Sequence, residues 1–99
     1  MVTENDVRAR VREGVAELGG GHRIHPVDPP RRIAVLDANG LEFAAWIVAD
    51  EKPASPTSGY LVVFDEESAA FGLCVKGGTR AAPTLIGIYG SFATTVRAM

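Results

Sequence analysis

The chain has 99 residues, of which 46% are apolar and 22% charged; that is the composition of a globular protein, not of a disordered one. A formal net charge of −2 argues against general affinity for nucleic acid or anionic membrane, since such binding draws on clustered Lys and Arg. The single cysteine, Cys74, excludes an internal disulfide and points away from a thiolate zinc site.

One domain spanning residues 1–99 is expected, because a chain of this mass buries roughly two-thirds of its unfolded surface in one core. Met1 to Arg12 is charged and lacks the apolar run of a signal peptide. No apolar stretch approaches the ~20 residues of a membrane span. With one unpaired cysteine, these features predict a soluble, cytoplasmic protein.

Thr3 to Leu18 reads as a helix. Val7, Val11, Val15 and Leu18 recur at steps of four, four and three and fall on one stripe. Thr3 with Asp6 forms a capping box, Glu4 pairs with Arg8 at i,i+4, and Gly19–Gly21 ends the helix. Gly14 weakens it by about 1 kcal/mol relative to Ala. His22 to Val27 is a strand candidate interrupted by Pro26, and Pro29-Pro30 breaks the chain, which suggests an edge. Arg31 to Asp37 is the next strand. Asp37-Ala38-Asn39-Gly40 supplies hairpin chemistry, because Asn and Gly tolerate positive φ.

Leu41 to Ala49 returns as the partner strand. Leu41, Phe43, Ala45 and Ile47 lie on one face, and Glu42, Ala44, Trp46 and Val48 on the other. Asp50 to Ser58 is a polar surface loop with two prolines. Gly59 to Asp65 alternates Tyr60, Val62 and Phe64, and Glu66 to Ser68 is an acidic turn. Ala69 to Lys76 sets Phe71, Leu73 and Val75 on one face, Gly72 and Cys74 on the other. Thr84 to Tyr89 is the last strand. Ser91 then caps a short helix whose stripe is Phe92, Val96 and Met99. Strands this close in sequence favour hairpins over crossovers. The fold class expected is therefore α+β: an antiparallel sheet of five or six strands, with an N-terminal and a short C-terminal helix packed on one face.

Few residues point to chemistry. His22 and His25 are three apart, so on a strand they face opposite ways and do not share a metal; no metal site and no cofactor are expected. Cys74, among apolar residues mid-strand, reads as an inert buried thiol. No serine sits in a Gly-x-Ser-x-Gly setting, and Gly19–Gly21 follows a helix, not the strand a dinucleotide site needs. The loop Lys76-Gly77-Gly78-Thr79-Arg80 is the most suggestive. Its glycines let backbone N–H groups approach an anion while Lys76 and Arg80 add charge, yet it lacks the P-loop spacing, and a turn with solvated charges is the plainer reading. Trp46 is a core residue if its face is covered and an interface anchor if it is open. An open face of Ala44, Trp46 and Val48 would also suit a homodimer.

The segment Leu85-Ile86-Gly87-Ile88-Tyr89-Gly90-Ser91-Phe92, running on to Met99, resembles the end of many small uncharacterised actinobacterial proteins and of some immunity proteins that neutralise secreted bacterial toxins. The resemblance covers about a third of the chain and implies binding by shape, with no catalytic residue. The function expected is a non-catalytic protein-binding module, an immunity-type inhibitor or accessory protein. Its contacts would be Trp46 and the loop residues Lys76, Gly77, Gly78 and Arg80. The alternative is a small-anion or small-ligand-binding domain, or an enzyme with a site of unfamiliar form, in which the Lys76–Arg80 loop receives an anion.

Overall fold

The computed structural model describes residues 2–19, 24–77 and 82–99. The element order is α1 (Glu4–Leu18), β1 (His25–Leu36), β2 (Glu42–Asp50), β3 (Tyr60–Asp65), β4 (Ala70–Val75), β5 (Thr84–Gly90) and α2 (Phe92–Arg97). This is the expected α+β arrangement with five strands. The five close into a barrel in sequence order. Every consecutive pair is antiparallel. An up-and-down order of an odd number of strands forces the first and last to run the same way, and β1 meets β5 in parallel at one pair, Leu36 and Thr84.

Local chemistry sets the ends of the elements. At α1, the Asp6 N–H donates to Thr3 Oγ1 at 3.2 Å and the Thr3 N–H to Asp6 Oδ2 at 2.8 Å, completing the capping box. Gly19 ends the helix at φ 74°. The β1–β2 turn is held by Asp37, whose carboxylate accepts from the Asn39 and Leu41 N–H groups. Gly40 supplies the positive φ, 78°, that this turn requires. Ser91 caps α2 through the Thr94 N–H.

One element departs from expectation. The two separate strand candidates, 22–27 and 31–37, form a single strand, β1, from His25 onward. Its pairing with β2 is interrupted between Pro26 and Arg31. His25 and Pro26 still pair with Asp50 and Ala49. Pro29 and Pro30 carry no N–H to give to a ladder, and residues 27–30 bulge from β2 before the pairing resumes at Arg31.

Apolar side chains sort into two clusters, one on each side of the sheet. Inside the barrel lie Val35, Ala45, Ile47, Leu61, Val63 and Cys74. On the outer side, beneath both helices, lie Val7, Val48, Val62, Phe64, Phe71, Leu73, Phe92 and Val96, among others. The three phenylalanines stack in sequence: Phe64 to Phe71 at 5.1 Å between ring centres, and Phe71 to Phe92 at 5.6 Å, edge to face. Gly14, expected only as a weak helix residue, sits where α1 crosses α2. A Cβ there would overlap Phe92, so its absence allows the close crossing.

A shift in register between Ile47 and Ala49 in β2 puts both Val48 and Ala49 into the outer cluster. It also turns Asp50, paired with Leu61, toward the barrel mouth. Among the described residues, no helix is long and apolar enough to cross a membrane.

Candidate functional site

Lys76, expected as a solvated charge on a glycine loop, is instead drawn inward at that mouth. Its Nζ lies 2.9 Å from Asp50 Oδ1, and the two side chains are only 8% and 14% exposed. The same ammonium donates to the carbonyl oxygens of Lys52 and Ser55. Three protons thus meet three acceptors, and the Lys76 N–H donates to Gly59 O. Lys76 therefore pins the 51–59 loop to the barrel rim and has no donor left for a ligand. Gly77 is half-buried beside it; Gly78 and Arg80 lie outside the described residues.

Trp46 stands half-buried on the outer side, packed against the helix-covered cluster. Its indole N–H donates to Glu66 Oε1 at 2.5 Å. Arg32, its cross-strand partner, lies 5.8 Å over the ring and 3.5 Å from Glu66. Arg32 of β1 and Glu66 of the acidic turn are far apart in sequence; pairing of β1 with β2 and of β2 with β3 brings them to one aromatic residue. On the face of Ala44, Trp46 and Val48, Ala44 is exposed, Trp46 half-buried and Val48 1% exposed.

Cys74 is fully buried in the barrel, and desolvation pushes its thiol up to about 12. It stays protonated at neutral pH and is no nucleophile. His25 is exposed, and His22 lies outside the described residues.

The open surface lies elsewhere, on β5. One of its edges pairs with β4 from Phe71–Gly90 to Val75–Thr84. The other meets β1 only at Leu36 and Thr84, supported by the Leu36 N–H donating to Pro83 O at 2.9 Å. From Leu85 to Gly90 no described strand pairs along that edge. Ile86, Ile88 and Tyr89 are 51%, 45% and 40% exposed. No charged residue occurs from Ala82 to Val96. Edge strands are ordinarily guarded by Lys, Pro, a bulge or a covering element; from Leu85 to Gly90 this one carries no Lys or Pro, and its pairing with β4 shifts register twice. The sequence signal was present, an apolar strand without charge, but it equally describes a buried strand.

Compared with known protein families, with curated proteins and with solved structures, the chain finds no match.

Proposed function

We propose that the protein is a non-catalytic protein-binding module that receives an extended, uncharged segment of its partner along the free edge of β5. One observation carries this reading: an apolar, uncharged and solvent-exposed strand edge, Leu85 to Gly90, left without a pairing partner beyond Thr84. Main-chain groups on such an edge supply the attraction, and alternate side chains, here Ile86 and Ile88 on one face with Tyr89 on the other, supply selectivity. Binding of this kind needs surface and no reactive group, as an immunity-type inhibitor or an accessory protein would. The contact moves from the Lys76–Arg80 loop to β5, because Lys76 is consumed by Asp50 and the 51–59 loop. A reduced, unpaired Cys74 suits a cytoplasmic setting.

The test is capture from lysate of the native host, comparing the natural chain with Ile86→Lys, which places a charge on the edge. A stoichiometric partner retained by the natural chain and lost by the variant supports the reading. Equal capture by both removes β5 as the contact. Light scattering on the same pair decides whether the occupant is a second copy: a dimer that the variant dissolves would replace the foreign partner.

A further inference from the structure

We infer a small-molecule site in the groove between α1 and the first half of β1, fitted to a short aliphatic carboxylate: hydrocarbon in the groove, anion on Arg12. It is separate from the β5 edge and does not depend on it.

The groove follows from the irregularity of β1. His25 and Pro26 pair with β2, and the register then shifts before Arg31, so residues 27–30 leave the regular ladder where the groove lies. At the other end of the helix stripe Val7 is fully buried, but Val11 and Val15, one and two turns on, are only half-buried. Between them and β1 lies a cavity of about 370 Å³, floored by Val48 and walled by Val11, Val15, Pro26 and Val27. Its size is within the range of small-ligand pockets, which are mainly apolar with a few placed polar groups.

The polar groups are at the rim. Arg8, the first helix residue in the lining, reaches across to Asp28 of β1, Nε to Oδ1 at 3.0 Å, and also approaches Glu4 at 3.9 Å. That pair ties the two walls together at one end and neutralises Arg8. A slot bridged at one end suits the tail of a small molecule better than a peptide that must run through. Arg12 lies four residues further along the same helix face and also lines the groove. It has no ion-pair partner among the described residues. An apolar slot with one uncommitted guanidinium at its rim selects a ligand with a hydrocarbon body and a single carboxylate, which a guanidinium binds through paired hydrogen bonds.

Calorimetric titration with octanoate, and with octanol as the uncharged counterpart, tests the site on the full chain. Octanoate is expected to bind with one-to-one stoichiometry, at least about tenfold more tightly than octanol, the scale of one charge-assisted contact. Arg12→Gln should remove that advantage while leaving octanol binding unchanged. Val15→Phe, which fills the slot, should abolish both without lowering the melting temperature. Absence of octanoate binding, equal affinity for the two compounds, or octanoate binding that survives Val15→Phe would each overturn the assignment.

Discussion

β3 and β5 are nearly the same strand on paper and opposite in the molecule. Leu61-Val62-Val63-Phe64 and Leu85-Ile86-Gly87-Ile88-Tyr89 are both short, apolar and free of charge. In β3 all four residues are 5% exposed or less, because β2 and β4 pair with it on both edges while α1 and α2 cover one face and the barrel interior takes the other. In β5 the pairing stops after one edge, and the three large side chains named above stay open to solvent. Burial here is a property of strand order, not of composition. Under the proposed function the contrast separates two tasks, stability on β3 and recognition on β5.

The largest expected effect lies on the β3 side. Phe64→Ala should cost about 3–5 kcal/mol, the usual range for deleting a buried aromatic side chain, whereas Ile86→Ala on β5 should stay within about 0.5 kcal/mol. Urea unfolding of both variants measures the contrast directly, and similar losses would erase it. Next comes the barrel mouth. Lys76→Met strands the Asp50 carboxylate and should cost about 3 kcal/mol. The double variant Asp50→Leu/Lys76→Met should recover most of that loss, since it removes both charges; a double variant as unstable as the single would mean that Lys76 acts mainly through the 51–59 loop carbonyls.

Gly14→Ala gives a smaller effect with an unexpected sign. Helix propensity alone favours Ala by about 1 kcal/mol, but the added methyl meets Phe92, and overpacking of this kind costs about 1–3 kcal/mol. A net loss in unfolding free energy is expected; a gain would show that α2 can yield. The smallest effect is at the α1 cap. The hydrogen bonds from Thr3 hold the Asp6 carboxyl below its ordinary value of 3.8. A carboxyl with a depressed folded-state value contributes stability that is whole above the ordinary value and disappears as pH falls through the folded one. The difference in unfolding free energy between the natural chain and Asp6→Asn should therefore be constant near neutral pH and shrink only at pH below 3.8. A difference that persists in strong acid would detach the cap from the Asp6 charge.

Much of this fold could be read from residues alone. The capping box at Thr3 and Asp6, the Asp37–Gly40 hairpin, the Ser91 cap and the alternation in β2 to β4 rest on local chemistry and periodicity, which a sequence displays openly. The closure of the barrel, the merging of two strand candidates into β1 and the exposure of β5 depend on which strands become neighbours, which local pattern does not encode. The site was legible in proportion. Cys74 as a buried thiol followed from its apolar surroundings, whereas Trp46 stood open between core residue and interface anchor and is half-buried. The burial of Lys76 did not follow, because its partners Asp50, Lys52 and Ser55 are more than twenty residues away and reach it only through the β2–β3 loop. The groove was hidden for the same reason: Val11 and Val15 continue the stripe of Val7, and they are half-covered where residues 27–30 leave the regular ladder.

The most direct measurement is on Ile86→Lys, with melting temperature and partner capture read on the same preparation. Recognition on β5 apart from stability on β3 predicts a melting temperature within about 4 °C of the natural chain, as expected for a change of 0.5 kcal/mol, together with loss of the partner. A variant that melts much lower, or one that keeps its partner, would contradict the division of labour between the two strands.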